Sequence, residues 1–186
     1  DLVELSDVIV RKDETDIDAQ IRKIFRLARF FGDPWPETRY KSLHNVIHNL
    51  YLQKIASSYL NRDADFAMFL RPDLVPHKPM NFGLYLEQAR SSLVTPSWHH
   101  FGYLNDRVCL TNPEIMRIYL TRYDKIGQYL LKRRKSLHAE RFLKFSMGGI
   151  KTYQTMGDTF SRVRAGGQTV PENFKPEPRT FFDIGS

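Results

Sequence analysis

Histidine pairs are the first candidates for chemistry in this sequence, because histidine serves both as a metal ligand and as an acid–base group near neutral pH. His44 and His48 lie four residues apart, the spacing of the zinc-binding pair in metalloproteases. The residue after His44 is Asn45, so the glutamate that activates water in those enzymes is missing. We interpret both histidines as part of a polar helix face. The adjacent His99 and His100 are interpreted as structural, since neighbouring side chains on a helix diverge.

The single cysteine and one glycine-rich segment complete the candidates for catalysis. Cys109 has no second cysteine with which to bind a metal or form a disulfide, which favours the role of a small buried hydrophobic residue. The segment 148–152, Gly-Gly-Ile-Lys-Thr, lacks the spacing of a phosphate-binding loop and follows a predicted helix, so a helix C-cap explains it better. The sequence predicts no catalytic site, no metal or other cofactor, and no small-molecule substrate.

Two clusters of positive charge are stronger candidates, and they concern binding. The first is a run of four consecutive basic residues: Lys132, Arg133, Arg134 and Lys135. The second is one face of the first predicted helix: Arg22, Lys23, Arg26 and Arg29. Cations at a helix end offset the helix dipole, but a run of four exceeds that need. For each cluster the alternatives are a solvated surface and docking on an acidic protein or an RNA backbone.

Three phenylalanines near the C-terminus form a third candidate surface. Phe174, Phe181 and Phe182 lie among prolines and charges, with no predicted helix to bury them. Each ring would contribute roughly 1.5–3 kcal/mol if a partner groove buried it completely. The alternatives are a disordered end and a tail anchored on a partner.

The overall composition limits the class of protein. Hydrophobic residues make up 41% of the 186 residues, which is enough for a packed core. The formal net charge of +7 attracts nucleic acid, anionic lipid or acidic protein without choosing among them. No apolar run approaches the roughly 18 residues that a membrane-spanning helix needs. A single cysteine is typical of a reducing compartment.

The elements that position these residues are predicted from hydrophobic periodicity. A helix near 16–31 has one apolar face: Ile17, Ile21, Ile24, Phe25, Ala28 and Phe31. Gly32 and Pro34 end this helix, and Pro36 begins another near 36–61. The second helix has its own stripe: Tyr40, Leu43, Ile47, Leu50 and Tyr51. A short corner between two stripes predicts an antiparallel helical hairpin.

The rest of the chain is predicted to repeat this unit. Further helices are predicted over 63–70, 80–93, 113–134 and 136–147, with a last stretch to about residue 164, and Asn112 and Pro113 give the clearest start signal. The only strand candidate is 8–10. The predicted fold class is therefore all-α, a stack of antiparallel helical hairpins forming a short α-solenoid. Its parts are an N-terminal arm at 1–12, a helical-hairpin domain at 13–164 and an extended C-terminal tail at 165–186.

The order of certain residues resembles a degenerate pentatricopeptide array, a family that repeats a helix pair about every 35 residues. The best copy contains Phe25, Gly32, Pro36, Tyr40, Ser42 and Leu43. A fainter copy contains Phe69, Pro76, Phe82 and Leu86. A third preserves mainly a helix end: Ala139, Phe142, Met147, Gly149, Ile150 and Lys151.

The function implied by the resemblance depends on the positions at which family members read RNA bases, because this sequence departs from the family pattern there. Members bind single-stranded RNA, but here Lys41 and Gly83 occupy base-reading positions and cannot read a base edge as the family does. The end-of-repeat position falls on or near Glu37, which would repel phosphate. Short arrays without that code occur as extra subunits of mitochondrial complexes. The resemblance therefore implies a non-enzymatic accessory subunit in the mitochondrial matrix, docked on other protein subunits of a large assembly such as the ATP synthase or a respiratory-type complex. The alternative is an RNA-contacting protein, such as a mitochondrial ribosomal or RNA-processing subunit.

Overall fold

The described part of the chain combines helices with two small β-sheets. A computed structural model describes residues 14–79, 81–155, 159–164 and 166–170. The α-helices are α1 (Glu14–Phe30), α2 (Lys41–Ala56), α3 (Leu86–Ala89), α4 (Pro113–Leu120), α5 (Ile126–Arg133) and α6 (Ala139–Ser146). Short 3-10 turns cover Pro36–Thr38, Ser57–Tyr59, Phe82–Tyr85 and Thr121–Lys125. The strands are β1 (Ala67–Leu70), β2 (Leu74–Pro76), β3 (Leu93–Pro96), β4 (Val108–Thr111), β5 (Thr152–Thr155), β6 (Phe160–Val163) and β7 (Thr169–Val170).

The larger sheet has four strands in the order β1-β4-β3-β5, and the smaller has three in the order β2-β6-β7. In the larger sheet β4 is antiparallel to both β1 and β3, while β3 and β5 are parallel. Leu70, the last residue of β1, is paired with Val108, the first residue of β4. The segment that follows β1 therefore lies beside the segment that precedes β4.

The predicted all-α fold is wrong, because strands occupy segments that the periodicity assigned to helices. The structure has β1 within predicted helix 63–70, and β5 and β6 within the predicted stretch up to 164. Every residue of β3 and β4 is buried, so neither strand shows the alternation that reveals a half-exposed strand. A run of four apolar residues cannot be distinguished from part of a helix by periodicity alone.

The predicted repeat architecture fails for the same reason. Phe69 and Pro76, which carry the second repeat copy, lie in β1 and β2. Within the predicted tail, Thr169 and Val170 form β7 and pair with Val163 and Arg162. The strand predicted at 8–10, the whole N-terminal arm at 1–12 and the tail beyond 170 lie outside the described residues.

The first predicted hairpin is present, with shifted helix boundaries. Gly32 ends α1 in the left-handed conformation, at φ +91°. The Asp33 carboxylate then accepts hydrogen bonds from the backbone N–H groups of Trp35 and Tyr40, at 3.0 and 2.5 Å. Positive φ angles at Arg39 and Tyr40 separate the turn 36–38 from α2, so α2 begins at Lys41 rather than at 36.

Two hydrophobic clusters form most of the core. A helical cluster joins α1, α2, α5 and α6 and includes Ile21, Ala28, Leu43, Ile47, Leu130 and Phe142. A sheet cluster joins β3 and β4 to α4 and α6 and includes Leu93, Cys109, Met116, Tyr119 and Leu143. The predicted burial of Cys109 is thus confirmed. Among the described residues, no helix combines the length and apolarity that crossing a bilayer requires.

Candidate functional site

A cavity of about 480 Å³ lies between α2 and the adjoining ends of β1 and β4. Its size is within the range of small-molecule pockets. One wall is largely apolar and comes mainly from α2: Val46, Leu50, Leu52 and Ala56. The opposite wall is charged: Arg71, Asp73, Asp106 and Arg122. An apolar wall facing a few convergent charges is the usual composition of a binding site.

The turn between β1 and β2 supplies the first charged pair. Arg71 donates from Nε and Nη2 to the two carboxylate oxygens of Asp73, at 3.0 and 2.7 Å. This two-point pairing fixes both side chains in one geometry. The backbone N–H of Arg71 also donates to the carbonyl of Arg107, at 3.0 Å, which ties this turn to the segment before β4.

The loop at 97–107, between β3 and β4, presents Asp106 to the cavity. Asn105 is fully buried and closes this loop. Its Nδ2 donates to the carbonyl of Trp98 at 2.7 Å, and its Oδ1 accepts from the backbone N–H of Arg107 at 2.8 Å. The position of Asp106 is therefore set by a buried side chain rather than by a free loop.

The same loop contains two strained residues. His99 and Phe101 both have positive φ, at 48° and 50°, a region that is unfavourable for large side chains. Such strain persists only where the surrounding structure holds it, and it is concentrated at functional sites. Here the Asn105 hydrogen bonds provide that restraint.

The 3-10 turn after α4 supplies a buried guanidinium. Arg122 is 2% exposed, its Nη1 donates to the carbonyl of Tyr119 at 2.6 Å, and its guanidinium lies 3.9 Å from the centre of the Tyr119 ring. Burial raises the pKa of Tyr119 well above its usual value, so its hydroxyl stays protonated and donates to the carbonyl of Asp106 at 3.0 Å. Tyr119 thus positions both Arg122 and the Asp106 backbone.

The first turn of α6 brings a second carboxylate to this cluster. Glu140 is 6% exposed, and its Oε2 lies 3.0 Å from Nδ1 of His138. The two atoms are close but do not form a hydrogen bond. The His138 ring packs near the rings of Trp35 and Phe101, which covers this side of the cluster.

Asp106 is the cavity carboxyl whose pKa the structure raises. Burial of the carboxyl is the largest cause of its raised pKa, and the nearby charge of Glu140 raises it further. Three arginines, at 71, 122 and 107, oppose the shift without cancelling it. Asp106 lines the cavity and is half-buried as a residue, so its remaining exposed surface faces a space that a ligand can enter.

An unsatisfied hydrogen-bond acceptor lies on the α2 side of the same cavity. Oε1 of Gln53 is buried and has no hydrogen-bond partner among the described residues. Leaving a buried acceptor unpaired costs about 1–3 kcal/mol. A ligand that carries a hydroxyl or amino donor would remove this cost once the Gln53 amide turns Oε1 toward the cavity.

The binding residues predicted from the sequence lie elsewhere. Lys132, Arg133, Arg134 and Lys135 are exposed at the end of α5, and Arg22, Arg26 and Arg29 are exposed on α1. None of them lines the cavity. Phe174, Phe181 and Phe182 lie outside the described residues. His44 is exposed and His48 half-buried on α2, and within the described ranges no group of three or more His, Cys, Asp or Glu residues could hold a metal ion.

The sequence analysis missed the cavity residues because they belong to five separate segments. Two of these segments carry a local signal, an acid and a base within three residues beside an apolar run: Arg71 with Asp73, and Asp106 with Arg107. Such pairs at strand ends would have indicated a site only if the strands had been recognised.

A histidine and a serine also come together on the smaller sheet. Nε2 of His77 lies 2.5 Å from Oγ of Ser161, and Nδ1 lies 3.0 Å from Oγ1 of Thr159. The ring is exposed and extends the β2–β6 pairing, so these contacts are cross-strand links rather than a sheltered nucleophile.

Comparison with known proteins identifies no relative. No protein-family model, no curated protein and no solved structure matches this chain. The mitochondrial location and the attachment to the ATP synthase follow from the pentatricopeptide resemblance alone, and no feature of the described residues supports them.

Proposed function

We propose that this protein binds a small polar molecule bearing hydroxyl or amino groups in the cavity beside Asp106, and that the protonated Asp106 carboxyl donates a hydrogen bond to it. The observation that carries the proposal is a carboxyl of raised pKa, held by a buried hydrogen-bond network, at the wall of a cavity of ligand size.

The two walls favour different parts of the ligand. On one side, Asp106 in its protonated form can donate a hydrogen bond, and Arg71 and Arg122 can donate to acceptor atoms. On the other, Oε1 of Gln53 accepts from a hydroxyl or amino group, and Val46 and Leu50 cover an apolar face. Buried charges also occur as purely structural links, but such links need no cavity and no unpaired acceptor beside them.

A ligand screen tests this proposal. Purified protein would be heated with sugars, polyols and amino alcohols, because a ligand that binds only the native state raises the melting temperature. The rise is expected to disappear in Gln53→Met, which removes the acceptor at similar volume, and in Asp106→Leu, which removes the hydrogen-bond donor at similar volume.

A matched control uses an acid on the surface. Asp18→Leu changes a carboxylate that is 67% exposed on α1, and it should leave the ligand response intact. A screen in which no compound of this class acts, or in which Gln53→Met and Asp106→Leu respond like the unaltered protein, contradicts the proposal.

A docked accessory role is the second candidate, and the two exposed basic clusters favour it. Lys132–Lys135 and the face of Arg22, Arg26 and Arg29 carry more cations than the helix ends require. Purification of the native assembly, followed by identification of co-migrating chains, would test it. Recovery of the protein alone would exclude a stable complex, and recovery with RNA would favour the RNA-contacting alternative.

A further inference from the structure

Two large apolar side chains are exposed at the last turns of α1 and α5. Phe30 is 83% exposed and Leu131 is 65% exposed. They line a shallow groove of about 600 Å³ together with Phe31, Gly32 and Arg134. Among the described residues, neither Phe30 nor Leu131 contributes to the two main hydrophobic clusters. Contiguous exposed apolar groups of this kind indicate an interaction surface.

Arg134 lines this groove, and further positive charge lies beside it in the sequence. Arg29 precedes Phe30, and the run Lys132–Lys135 follows Leu131 directly. All of these cations are exposed. The nearest acid in the chain, Asp33, is engaged by the backbone N–H groups at the corner between α1 and α2. We call the groove and these cations the Phe30–Leu131 patch.

We propose that the Phe30–Leu131 patch docks on a bilayer surface containing anionic lipid. Phe30 and Leu131 would enter the headgroup region, and the cations around them would contact lipid phosphates and carboxylates. Aromatic and aliphatic side chains beside a collar of Lys and Arg are the composition of interfacial membrane contacts. This docking is separate from the cavity beside Asp106 and does not depend on a ligand there.

The geometry favours a membrane over the other partners of a basic surface. The two exposed side chains, Phe30 and Leu131, form a much smaller apolar surface than the roughly 1,000 Å² that a stable protein interface buries, whereas a bilayer interface takes up single side chains. An RNA backbone would pair with the cations, but it offers no apolar surface against which Leu131 could be buried. A bilayer that contains anionic lipid binds both the apolar side chains and the cations. Each cation near such a surface strengthens binding about fivefold.

Vesicle flotation tests the proposal. The full chain would be mixed with vesicles of phosphatidylcholine alone, or of phosphatidylcholine with phosphatidylserine. Binding is expected only to the second kind and should weaken as salt rises. Phe30→Ala should reduce binding about tenfold or more, because it removes an inserted ring. Lys132→Gln combined with Arg133→Gln should reduce it by a similar factor.

Two further variants separate insertion from other causes. Phe30→Leu keeps an apolar side chain but cannot stack on a base, so it should retain vesicle binding. Leu84→Ala truncates another leucine that is 65% exposed, in the turn 82–85, and should bind vesicles like the unaltered chain. Circular dichroism should show that each variant is folded, because Phe30, Leu84, Lys132 and Arg133 are all exposed.

Several results would overturn the proposal. One is equal binding to vesicles with and without phosphatidylserine. Another is a Phe30→Ala variant that binds vesicles as well as the unaltered chain. A third is retention on polyuridine or polyglutamate, lost in the Lys132→Gln and Arg133→Gln variant, without vesicle binding. The ligand response of the Asp106 cavity should persist in Phe30→Ala, so failure of one proposal is distinguishable from failure of the other.

Discussion

Asp106 differs from the exposed acids of this chain because the structure around it opposes its ionisation. Its carboxyl lies among Glu140 and three arginines, while Asn105 fixes the backbone on either side of it. Moving a charge out of water costs several kcal/mol unless partners compensate. The raised pKa of Asp106 shows that the arginines compensate only in part.

The first prediction concerns the pH dependence of stability. Because the native pKa of Asp106 is raised, the native state keeps a proton that the unfolded chain releases near pH 4. The contribution of Asp106 to the free energy of unfolding therefore falls as pH rises from about 4 through the raised native pKa. Urea denaturation at a series of pH values should show this fall for the unaltered protein relative to Asp106→Asn.

The exposed Asp18 provides the control for that measurement. The difference in free energy of unfolding between the unaltered protein and Asp18→Asn should not show the fall with pH that is expected for Asp106, because the Asp18 side chain is 67% exposed. A stability difference between the unaltered protein and Asp106→Asn that stays constant from pH 4 to 8 would show that Asp106 titrates normally.

A second prediction at the residue scale concerns Cys109. Burial raises its pKa to about 12, and the residue is 1% exposed. At pH 8 only about one thiol in ten thousand is then ionised, and thiolate is the reactive form. A disulfide reagent should modify Cys109 only as fast as the protein opens, and rapidly once urea unfolds the chain. Fast modification of the native protein would contradict this burial.

Short elements hold the cavity together through their caps and turns. The start of α4 is the clearest case, because Asn112 accepts from the N–H of Ile115 at 2.9 Å and Pro113 occupies the first helical position. The side chain of Asn112 also donates to the carbonyl of Arg90 at 2.7 Å. This helix leads to Tyr119 and Arg122, so its start sets the position of one cavity wall.

The third prediction belongs to this element. Asn112→Ala should lower the free energy of unfolding by about 1–2 kcal/mol, because an N-cap acceptor is lost. Asn112→Asp keeps an acceptor for Ile115 and loses only the donation to Arg90, so it should be less destabilising. Urea denaturation of both variants measures the difference. Equal losses would show that the contact with Arg90, rather than the cap, is what matters.

At the scale of the whole molecule, the helical and sheet clusters share the segment 113–133. Tyr119 belongs to the sheet cluster, and Tyr123, about one turn later, belongs to the helical cluster. The hydroxyl of Tyr123 also donates to the carbonyl of Gln20 in α1, at 3.0 Å. Unfolding of the segment 113–133 would expose residues of both clusters to solvent. The two clusters should therefore unfold together.

The fourth prediction tests that coupling. Ile47→Ala in the helical cluster and Leu93→Ala in the sheet cluster should each cost about 2–5 kcal/mol, because both side chains are fully buried. Each should lower the urea midpoint seen by circular dichroism and by Trp98 fluorescence in a Trp35→Phe background. Leu84→Ala, at an exposed site, should change stability by less than about 0.5 kcal/mol. Separate midpoints for the two probes would show two independent units.

The sequence by itself determined those features that depend on neighbours in the chain. The α1–α2 hairpin, the left-handed Gly32, the Asn112–Pro113 helix start and the burial of Cys109 all follow from local spacing and residue type. The positions of the exposed basic clusters follow equally, because a run such as Lys132–Lys135 cannot be buried without counter-charges.

Only the tertiary structure decided the fold class and the cavity. Strands of four residues or fewer carry too little periodicity to be told from helix, and what identifies them is pairing, such as Leu70 with Val108. The cavity combines Arg71, Asp106 and Arg122 from segments far apart in the sequence, and the raised pKa of Asp106 arises only when those segments surround it. Burial and like charge act through space, so no local pattern records them.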